Sequence, residues 1–476
     1  MATALVFAFA SCNNNEPSSG SGEKKSTIKW EFNSAQGILT AMGSGAMKDY
    51  ENPGDFEYYD KRDYINEIIL PEGLTNIGKN AFCGMSHVRD LELPNGVTKI
   101  GDNAFNGCES LETINFPGTI KSIGEDAFNG CHSLVEADLS KTSISLVAKR
   151  AFYGCHHMLT AILPQTIESI SESAFNGCSE LASVRHDNTN TTTTDEFSPA
   201  VRRASMTEDF SLPSLKLKTI GDSAFYKCTK LPYVSFPSCL TTIGDFAFEN
   251  CSSIASVNLA ATNISYVGKH AFKQCTNLET VYWSSKITEV KESTFYGCTK
   301  LNKVDKFENG IVKTIERYAF YRCEAMRYFF FPSTVKTVGE CAFYNCLKIV
   351  NIDLPNATTI GKRAFMYCKN VNTITLSDNL KRIEDETFYY IQNPDYALTY
   401  IVIPAKVEFI GYDAFGCCAY VTEVKCKNPT PPTLSSGAFG GLASNHKLYV
   451  PSGSLSTYQS NSQWKQFFSV SNMSEY

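Results

Sequence analysis

Hydrophobic and polar positions recur along the chain with a period of about 23 residues. One pattern reads Ile-Gly-x-x-Ala-Phe-x-x-Cys, and after two further residues it continues into an alternating apolar stretch that ends in Pro. The spacing between successive copies is 22 to 27 residues, except for one spacing of 50. A fixed period of this length predicts stacked structural coils, or a solenoid. The repeated phenylalanine stands at Phe82, Phe105, Phe128, Phe152, Phe175, Phe225, Phe248, Phe272, Phe295, Phe320, Phe343, Phe365, Phe388, Phe415 and Phe439.

One repeat, residues 111–134, shows the physical basis of the pattern. Ile114 and Phe116 alternate with polar residues, so they share one face of a predicted strand. Pro117 ends that strand because it has no amide hydrogen to donate to a neighbour. Gly124 is predicted to adopt a positive φ at a turn, and Phe128 follows in a short turn or helical segment. A coil of 23 residues cannot bury its own apolar face, so each coil needs a neighbour on either side.

These repeats resemble the BspA-like, or Treponema-type, leucine-rich repeat family, whose consensus is similar to L-x-x-I-x-I-P-x-x-V-x-x-I-G-x-x-A-F-x-x-C. The resemblance covers about residues 65–450. It implies an α/β-type repeat solenoid, a right-handed coil with a parallel β-sheet face and short helical or turn segments, capped at both ends. We expect an N-terminal cap at 28–65, the solenoid at 66–442 and a C-terminal cap at 443–476.

The spacing of 50 between Phe175 and Phe225 contains a polar segment at about 186–211 that is rich in threonine. This spacing equals one period plus about 27 residues, or two periods with one degenerate copy. Because the first half of the segment is too polar to form a coil, we favour an exposed insertion loop.

The N-terminal residues indicate export. Residues 1–12 are mostly apolar and end at Cys12, which resembles a bacterial lipoprotein signal in which Cys12 is lipidated. Residues 13–27 are polar and predict a flexible tether. We therefore expect an exported protein, lipid-anchored in the outer membrane and exposed at the cell surface. The alternative is an apolar N-terminus with an accidental cysteine.

Most of the 18 cysteines follow the repeat. Twelve of them, from Cys108 to Cys418, stand three residues after the repeated phenylalanine, and Met85 takes this position in the first copy. Stacked side chains that point in one direction do not favour the torsion of a disulfide. We predict buried structural thiols that meet a backbone carbonyl, and a local bridge involving Cys417, Cys418 or Cys426 remains an alternative.

Composition and motifs argue against several classes of function. The formal net charge of −6 gives no basic footprint for nucleic acid. The chain lacks the common hydrolase, metalloprotease and phosphate-loop motifs, and its seven histidines are scattered. We therefore expect no catalytic residues, no metal site and no cofactor, and we predict that the protein is not an enzyme.

Candidate binding residues lie on the outward side of the predicted strands. These positions are polar in the first coils, and aromatic residues appear from the sixth coil onward. We expect coils 6 to 12 to bind a ligand through Tyr233, Tyr282, Tyr328, Phe330 and Tyr400, because exposed aromatic clusters anchor partners. The alternative is that these aromatic residues only stabilise the sheet.

The family resemblance implies a cell-surface adhesion protein that recognises a protein, such as a host matrix protein, an epithelial cell protein or a protein of another bacterium. One alternative is a glycan-binding accessory lipoprotein of a polysaccharide-uptake system. The chain has only three tryptophans, of which Trp30 and Trp464 fall in the caps, so the sequence gives this alternative little support. A second alternative is a structural spacer.

Overall fold

The computed structural model describes residues 27–186, 210–211, 216–232, 234–327, 329–395 and 397–476. Most coils of the described chain contribute two short strands, one to each of two faces that run along the solenoid. We call the ladder built from the strands before each proline the first face, and the ladder built from the Ile-Gly strands the second face. The solenoid predicted from the repeat is thus confirmed.

The strands are numbered in chain order. The first two, β1 Lys29–Asn33 and β2 Ile38–Met42, belong to the N-terminal cap. The first face consists of β4 Glu67–Ile69, β6 Asp90–Leu91, β8 Thr113–Ile114, β10 Glu136–Asp138, β12 Thr160–Leu163, β14 Ser183–His186, β15 Phe210–Ser211, β17 Val234–Ser235, β19 Ser256–Asn258, β21 Thr280–Tyr282, β23 Lys303–Asp305, β26 Asn351–Leu354, β28 Thr373–Leu376, β30 Tyr400–Ile403, β32 Glu423–Cys426, β34 Lys447–Val450 and β35 Met473–Glu475.

The second face consists of β3 Ser44–Ala46, β5 Gly73–Ile77, β7 Lys99–Ile100, β9 Ser122–Ile123, β11 Leu146–Val147, β13 Ser169–Ile170, β16 Thr219–Ile220, β18 Thr242–Ile243, β20 Tyr266–Val267, β22 Glu289–Val290, β24 Thr314–Ile315, β25 Thr337–Val338, β27 Thr359–Ile360, β29 Arg382–Ile383, β31 Phe409–Ile410 and β33 Thr433–Leu434. Paired strands within each face are parallel, and the register places equivalent repeat positions side by side, as in Ile352 beside Ile374.

Helical structure is sparse and lies mainly in the caps. The described residues hold one α-helix, α1 Leu455–Ser460. Short 3₁₀ turns occur at Pro53–Asp55, Tyr59–Tyr64, Phe307–Asn309, Trp464–Gln466 and Val470–Asn472. The corner after each Ile-Gly pair is a run of turns, so of the two alternatives for this segment the turn is the one observed.

The core of the solenoid is a continuous column of stacked phenylalanines. All fifteen repeated phenylalanines are 0–1% exposed. Each of the fourteen consecutive pairs has ring centroids 5.1–5.8 Å apart and ring planes within 21° of parallel. The spacing between stacked coils therefore sets the stacking distance, because Phe175 and Phe225 also stack at 5.4 Å although 50 residues separate them.

Different aromatic residues close the two ends of this column. At the N-terminus Trp30 meets the ring of Phe82 edge-on at 5.8 Å, and Phe56 does so at 6.2 Å. At the C-terminus Trp464 lies 5.6 Å from Phe439. Terminal repeats of a solenoid need such covers, because one side of each would otherwise face water.

A second internal column is formed by the cysteines. Each of the twelve thiols at the repeat position donates a hydrogen bond to the carbonyl oxygen of the phenylalanine one coil earlier, with sulfur–oxygen distances of 3.0–3.3 Å. The predicted pairing of thiol and carbonyl is confirmed. Cys417, Cys418 and Cys426 are free thiols, and Cys426 accepts a hydrogen bond from the Tyr458 hydroxyl at 3.1 Å.

The structure corrects the prediction for Gly124, whose φ is not positive. A Cβ at this position would lie 2.5 Å from the amide nitrogen of Asp102, so the glycine is needed for close approach of adjacent coils. Left-handed backbone occurs instead at Asp126, with φ 54°, and at Gly130, with φ 73°. Two left-handed residues are therefore used to turn this coil.

The predicted insertion loop at 186–211 is not a loop at either end. His186 belongs to β14, and the Phe210–Ser211 strand β15 pairs with β14 on one side and β17 on the other. On the second face β13 pairs directly with β16, and the ring of Phe225 stacks on that of Phe175. The segment thus adds one strand to the first face only. Residues 187–209 lie outside the described part.

Candidate functional site

The predicted binding residues that the structure describes are exposed on the first face. Tyr282 ends β21 and is 40% exposed, and Tyr400 begins β30 and is 51% exposed. Phe330 is 57% exposed. Tyr233 and Tyr328 lie outside the described residues, as does Cys12.

These aromatic side chains are spread along the face and form no single cluster. Tyr282 and Phe330 lie two coils apart, which corresponds to about 10 Å at the usual strand spacing. Between them stands Asp305, whose carboxylate pairs with Lys303 at 2.7 Å. The face therefore presents separate apolar contact points with charged groups between them.

Phe330 projects from a local break in the first-face ladder. Among the described residues, no first-face strand occupies the interval between β23 and β26, although β24 and β25 of the second face lie there. The neighbours Phe329 and Phe331 point inward and lie 5.1 Å and 5.2 Å from the ring of Phe343. The two inward rings hold the backbone on either side of Phe330, so its exposed ring is presented from a fixed segment.

Not every outward position predicted from the repeat is open. Thr160, Ile162 and Ser183 are 1%, 5% and 2% exposed, although the repeat places them on the outer side of β12 and β14. The open parts of the first face lie on either side of these two strands.

The first four coils form a groove on the first face that the sequence did not reveal. Its volume is about 990 Å³. It is lined by strands β4, β6, β8 and β10, and its walls carry seven carboxylates and one lysine, Lys141. The alternating pattern showed that these strands are polar outside, but concavity depends on how successive coils stack.

A row of stacked tyrosines along one edge of the solenoid was also missed. Tyr296, Tyr321 and Tyr344 each follow a repeated phenylalanine directly, and their rings stack at 4.6 Å and 4.7 Å. Desolvation by partial burial raises the pKa of Tyr321 and of Tyr344. The sequence signal was tyrosine at the position after the repeated phenylalanine. Since these rings cover each other's faces, we assign the row a stabilising role.

Two further observations concern metal binding and the reactivity of the thiols in the described residues. No group of three or more histidine, cysteine, aspartate or glutamate side chains in this part of the chain is placed to hold a metal ion. Burial raises the pKa of the Cys418 thiol to about 12, and it raises the pKa of Cys275 well above the usual value. Thiols held in this way are poor nucleophiles. The described part also contains no helix with the length and hydrophobicity needed to cross a bilayer.

Comparisons with known proteins identify a family and several solved structures that this chain resembles. The family described as BspA type leucine rich repeat region matches residues 54–182, 202–311, 306–394 and 393–475. No curated protein gives a significant match. A solved leucine-rich repeat protein from Bacteroides ovatus is 23% identical, with a TM-score of 0.50 over 75% of this chain and 92% of that one.

Two further solved proteins are similar in part. A leucine-rich repeat protein from Eubacterium ventriosum is 19% identical, with a TM-score of 0.43 over 88% of this chain and 94% of its own. A leucine rich cell surface protein from Faecalibacterium prausnitzii is 22% identical, with a TM-score of 0.34 over 72% and 95%. The family matches cover most of the described solenoid, and the chain belongs to the BspA-type leucine-rich repeat family.

Proposed function

We propose that this protein is a non-enzymatic cell-surface protein that binds another protein through the first face of its solenoid. The observation that carries the proposal is the exposure of Tyr282, Phe330 and Tyr400 on a face whose other outward residues are mostly polar. Exposed aromatic side chains supply large contact areas at little cost in conformational entropy, and they often dominate binding energy. Membership of a repeat family whose solenoid fold is typically non-catalytic supports the same conclusion.

The arrangement of these aromatic residues fits a protein partner. Charged residues such as Asp305 and Lys303 lie between the apolar contact points, as in the mixed surfaces that protein interfaces bury. Glycan binding has less support, because Trp283 and Trp464 are buried in the core and Trp30 packs against Phe56 in the N-terminal cap. We propose fibronectin and fibrinogen as the first matrix proteins to test.

The test compares the protein with the triple variant Tyr282→Ser, Phe330→Ser and Tyr400→Ser on immobilised fibronectin and fibrinogen by surface plasmon resonance. We expect the triple variant to lose at least tenfold in affinity while it keeps its melting temperature within a few degrees. Tyr420→Ser is the matched control, because Tyr420 is 39% exposed but lies in a turn outside the strands.

Unchanged affinity of the triple variant contradicts the use of this face. Binding of the protein to a glycan array, without binding to either matrix protein, favours the glycan-binding alternative. Loss of folding in the triple variant would show that the aromatic residues stabilise the sheet and do not form a binding site.

The proposed location rests on the N-terminal sequence. We propose that residues 1–12 act as an export signal, that Cys12 carries the lipid and that residues 13–27 form the tether. In cells, Cys12→Ser is expected to release the protein from the membrane fraction, and protease treatment of intact cells is expected to degrade the unaltered protein. Full protection from the protease contradicts surface exposure.

A further inference from the structure

We propose that the groove on the first four coils binds a lysine- or arginine-rich segment of a protein partner. The inference rests on the proposed function and specifies the chemistry of one part of the binding face. The groove, called here the acidic groove, is the 990 Å³ concavity lined by strands β4, β6, β8 and β10.

Charge is the first property that selects the partner. The carboxylates that line the acidic groove belong to Glu67, Glu72, Asp90, Glu92, Glu112, Glu136 and Asp138. Lys141 is the single basic residue in the lining. Such an excess of negative charge in a concave surface attracts cations and excludes anionic partners.

Several of these charges are not neutralised within the protein. Glu67, Glu72 and Glu92 have no ion pair in the described part of the chain and are exposed. Glu112 lies 3.8 Å from Arg89, but both side chains are largely in water, so this pair compensates little. Free carboxylates remain available for an incoming cationic group.

The position of the charges adds a second argument. Glu67 and Asp90 occupy the same repeat position in successive coils, so their side chains are neighbours on the face. Like charges held at neighbouring positions on a surface repel each other. The acidic groove therefore contains an unfavourable arrangement that a basic partner would relieve.

The shape of the lining favours long basic side chains. Ile69 is 43% exposed in the acidic groove, and the half-buried Ile114 lies in the same lining. Lysine and arginine can lay their aliphatic stems along such apolar surface while their charged ends reach the carboxylates. A small inorganic ion has no aliphatic part and cannot make these apolar contacts.

A single metal ion fits the acidic groove poorly. Thr113 and Asn115 separate the carboxylates of β6 from those of β10. Among the described residues, no three acidic side chains converge on one point at which they could hold a metal. Dispersed carboxylates match a ligand that carries several separate positive charges.

The test uses two fluorescein-labelled peptides of twelve residues, one of alternating lysine and serine and one of alternating glutamate and serine. Binding is measured by fluorescence anisotropy in 50 mM and 300 mM NaCl. We expect the lysine peptide to bind, the glutamate peptide not to bind, and the higher salt concentration to weaken binding several-fold because it screens the charges.

Two sets of substitutions locate the binding site. Glu67→Gln, Asp90→Asn and Glu92→Gln together are expected to raise the Kd of the lysine peptide at least tenfold and to leave the melting temperature equal or higher. The matched control, Asp353→Asn with Glu423→Gln, neutralises exposed carboxylates elsewhere on the first face and is expected to change Kd less than twofold.

Three results would overturn the proposal. They are unchanged binding by the neutralised triple variant, equal binding of the glutamate peptide, and displacement of the lysine peptide by micromolar CaCl₂ that itself binds in calorimetry. The Tyr282, Phe330 and Tyr400 variant is expected to bind the lysine peptide normally. Failure of the acidic groove can thus be distinguished from failure of the aromatic positions.

Discussion

The first five coils and the later coils share their interior and differ at one corner. In both regions the phenylalanine column continues with the same geometry, and the cysteine thiols bond the same carbonyl. Two residues after the repeated phenylalanine, each coil turns through a left-handed residue. In the first five coils this residue is always glycine: Gly84, Gly107, Gly130, Gly154 and Gly177.

From Phe225 onward the same corner carries side chains. The left-handed residues there are Lys227, Asn250, Gln274, Arg322, Asn345, Tyr367, Tyr390 and Cys417, with glycine kept at Gly297 and Gly441. A side chain in this conformation costs free energy. In return it can make contacts along the edge, as when Tyr367 meets Tyr344 at 5.5 Å.

The interior of the repeat is thus nearly constant along the solenoid, whereas its outer positions vary. The inner columns must match the coil above and below, so any change propagates into two interfaces. Outer positions have no such constraint. They have become acidic on the first face near the N-terminus and aromatic further along, which gives two chemically different surfaces on one scaffold.

The largest expected effect is a loss of folding stability at high pH, and it would arise from the cysteine column that both regions share. Burial raises the pKa of eleven thiols in the cysteine column, among them Cys131 in the first region and Cys346 in the second. Because the folded pKa is raised, the thiols stabilise the fold fully below about pH 9, the value for an exposed thiol. This contribution is lost as the pH rises, at roughly 1.4 kcal/mol per thiol and pH unit.

Urea unfolding at pH 7.5, 9 and 10 measures this loss, and the midpoint is expected to fall steeply above pH 9. Hydrogen exchange should show that both regions lose protection in the same pH range. Cys298→Ala removes one titrating group and is expected to make the pH dependence shallower. A midpoint that stays constant to pH 10 would contradict the assignment.

A smaller effect on stability is expected from substitutions at the left-handed corner residue, two positions after the repeated phenylalanine. Gly130→Ala forces a side chain into φ 73°, although the nearest atom, Cα of Gly107, would be 3.7 Å away and does not clash. We expect a loss of about 1–2 kcal/mol from backbone strain. Gln274→Gly, at φ 60° in the later region, is expected to gain several tenths of a kcal/mol.

The free energies come from urea unfolding monitored by circular dichroism. Gly54→Ala is the control, because Gly54 has no positive φ and no atom closer than 3.9 Å to an added Cβ. It is expected to be neutral or slightly stabilising. Equal losses for Gly54→Ala and Gly130→Ala would rule out strain as the cause.

The smallest expected effect is the coupling free energy within the tyrosine row of the later coils. A double-mutant cycle of Tyr321→Leu and Tyr344→Leu is expected to give a coupling free energy of about 0.5–1.5 kcal/mol from the 4.7 Å stack. Tyr153 follows its phenylalanine in the same way but is 40% exposed in the first region. Tyr153→Leu is therefore expected to change stability by less than about 0.5 kcal/mol, and zero coupling between Tyr321 and Tyr344 would show that the row is incidental.

The sequence by itself determined the solenoid, the phenylalanine column and the thiol–carbonyl pairs. These features follow from a strict period, because residues at equal positions such as Phe128 and Phe152 must meet when equal coils stack. The exposed aromatic positions Tyr282 and Tyr400 could also be predicted, since alternation along a strand decides which side chains face outward. The same pattern predicted Phe330, which is exposed although it lies in no strand.

Features that arise from differences between individual coils were decided only by the tertiary structure. The conformation of Gly124 and the extra strand β15 reflect contacts with adjacent coils that a repeat pattern does not encode. The acidic groove likewise depends on how several coils stack together. Its carboxylates are visible in the sequence, but their concentration in one concavity is a property of the packed solenoid.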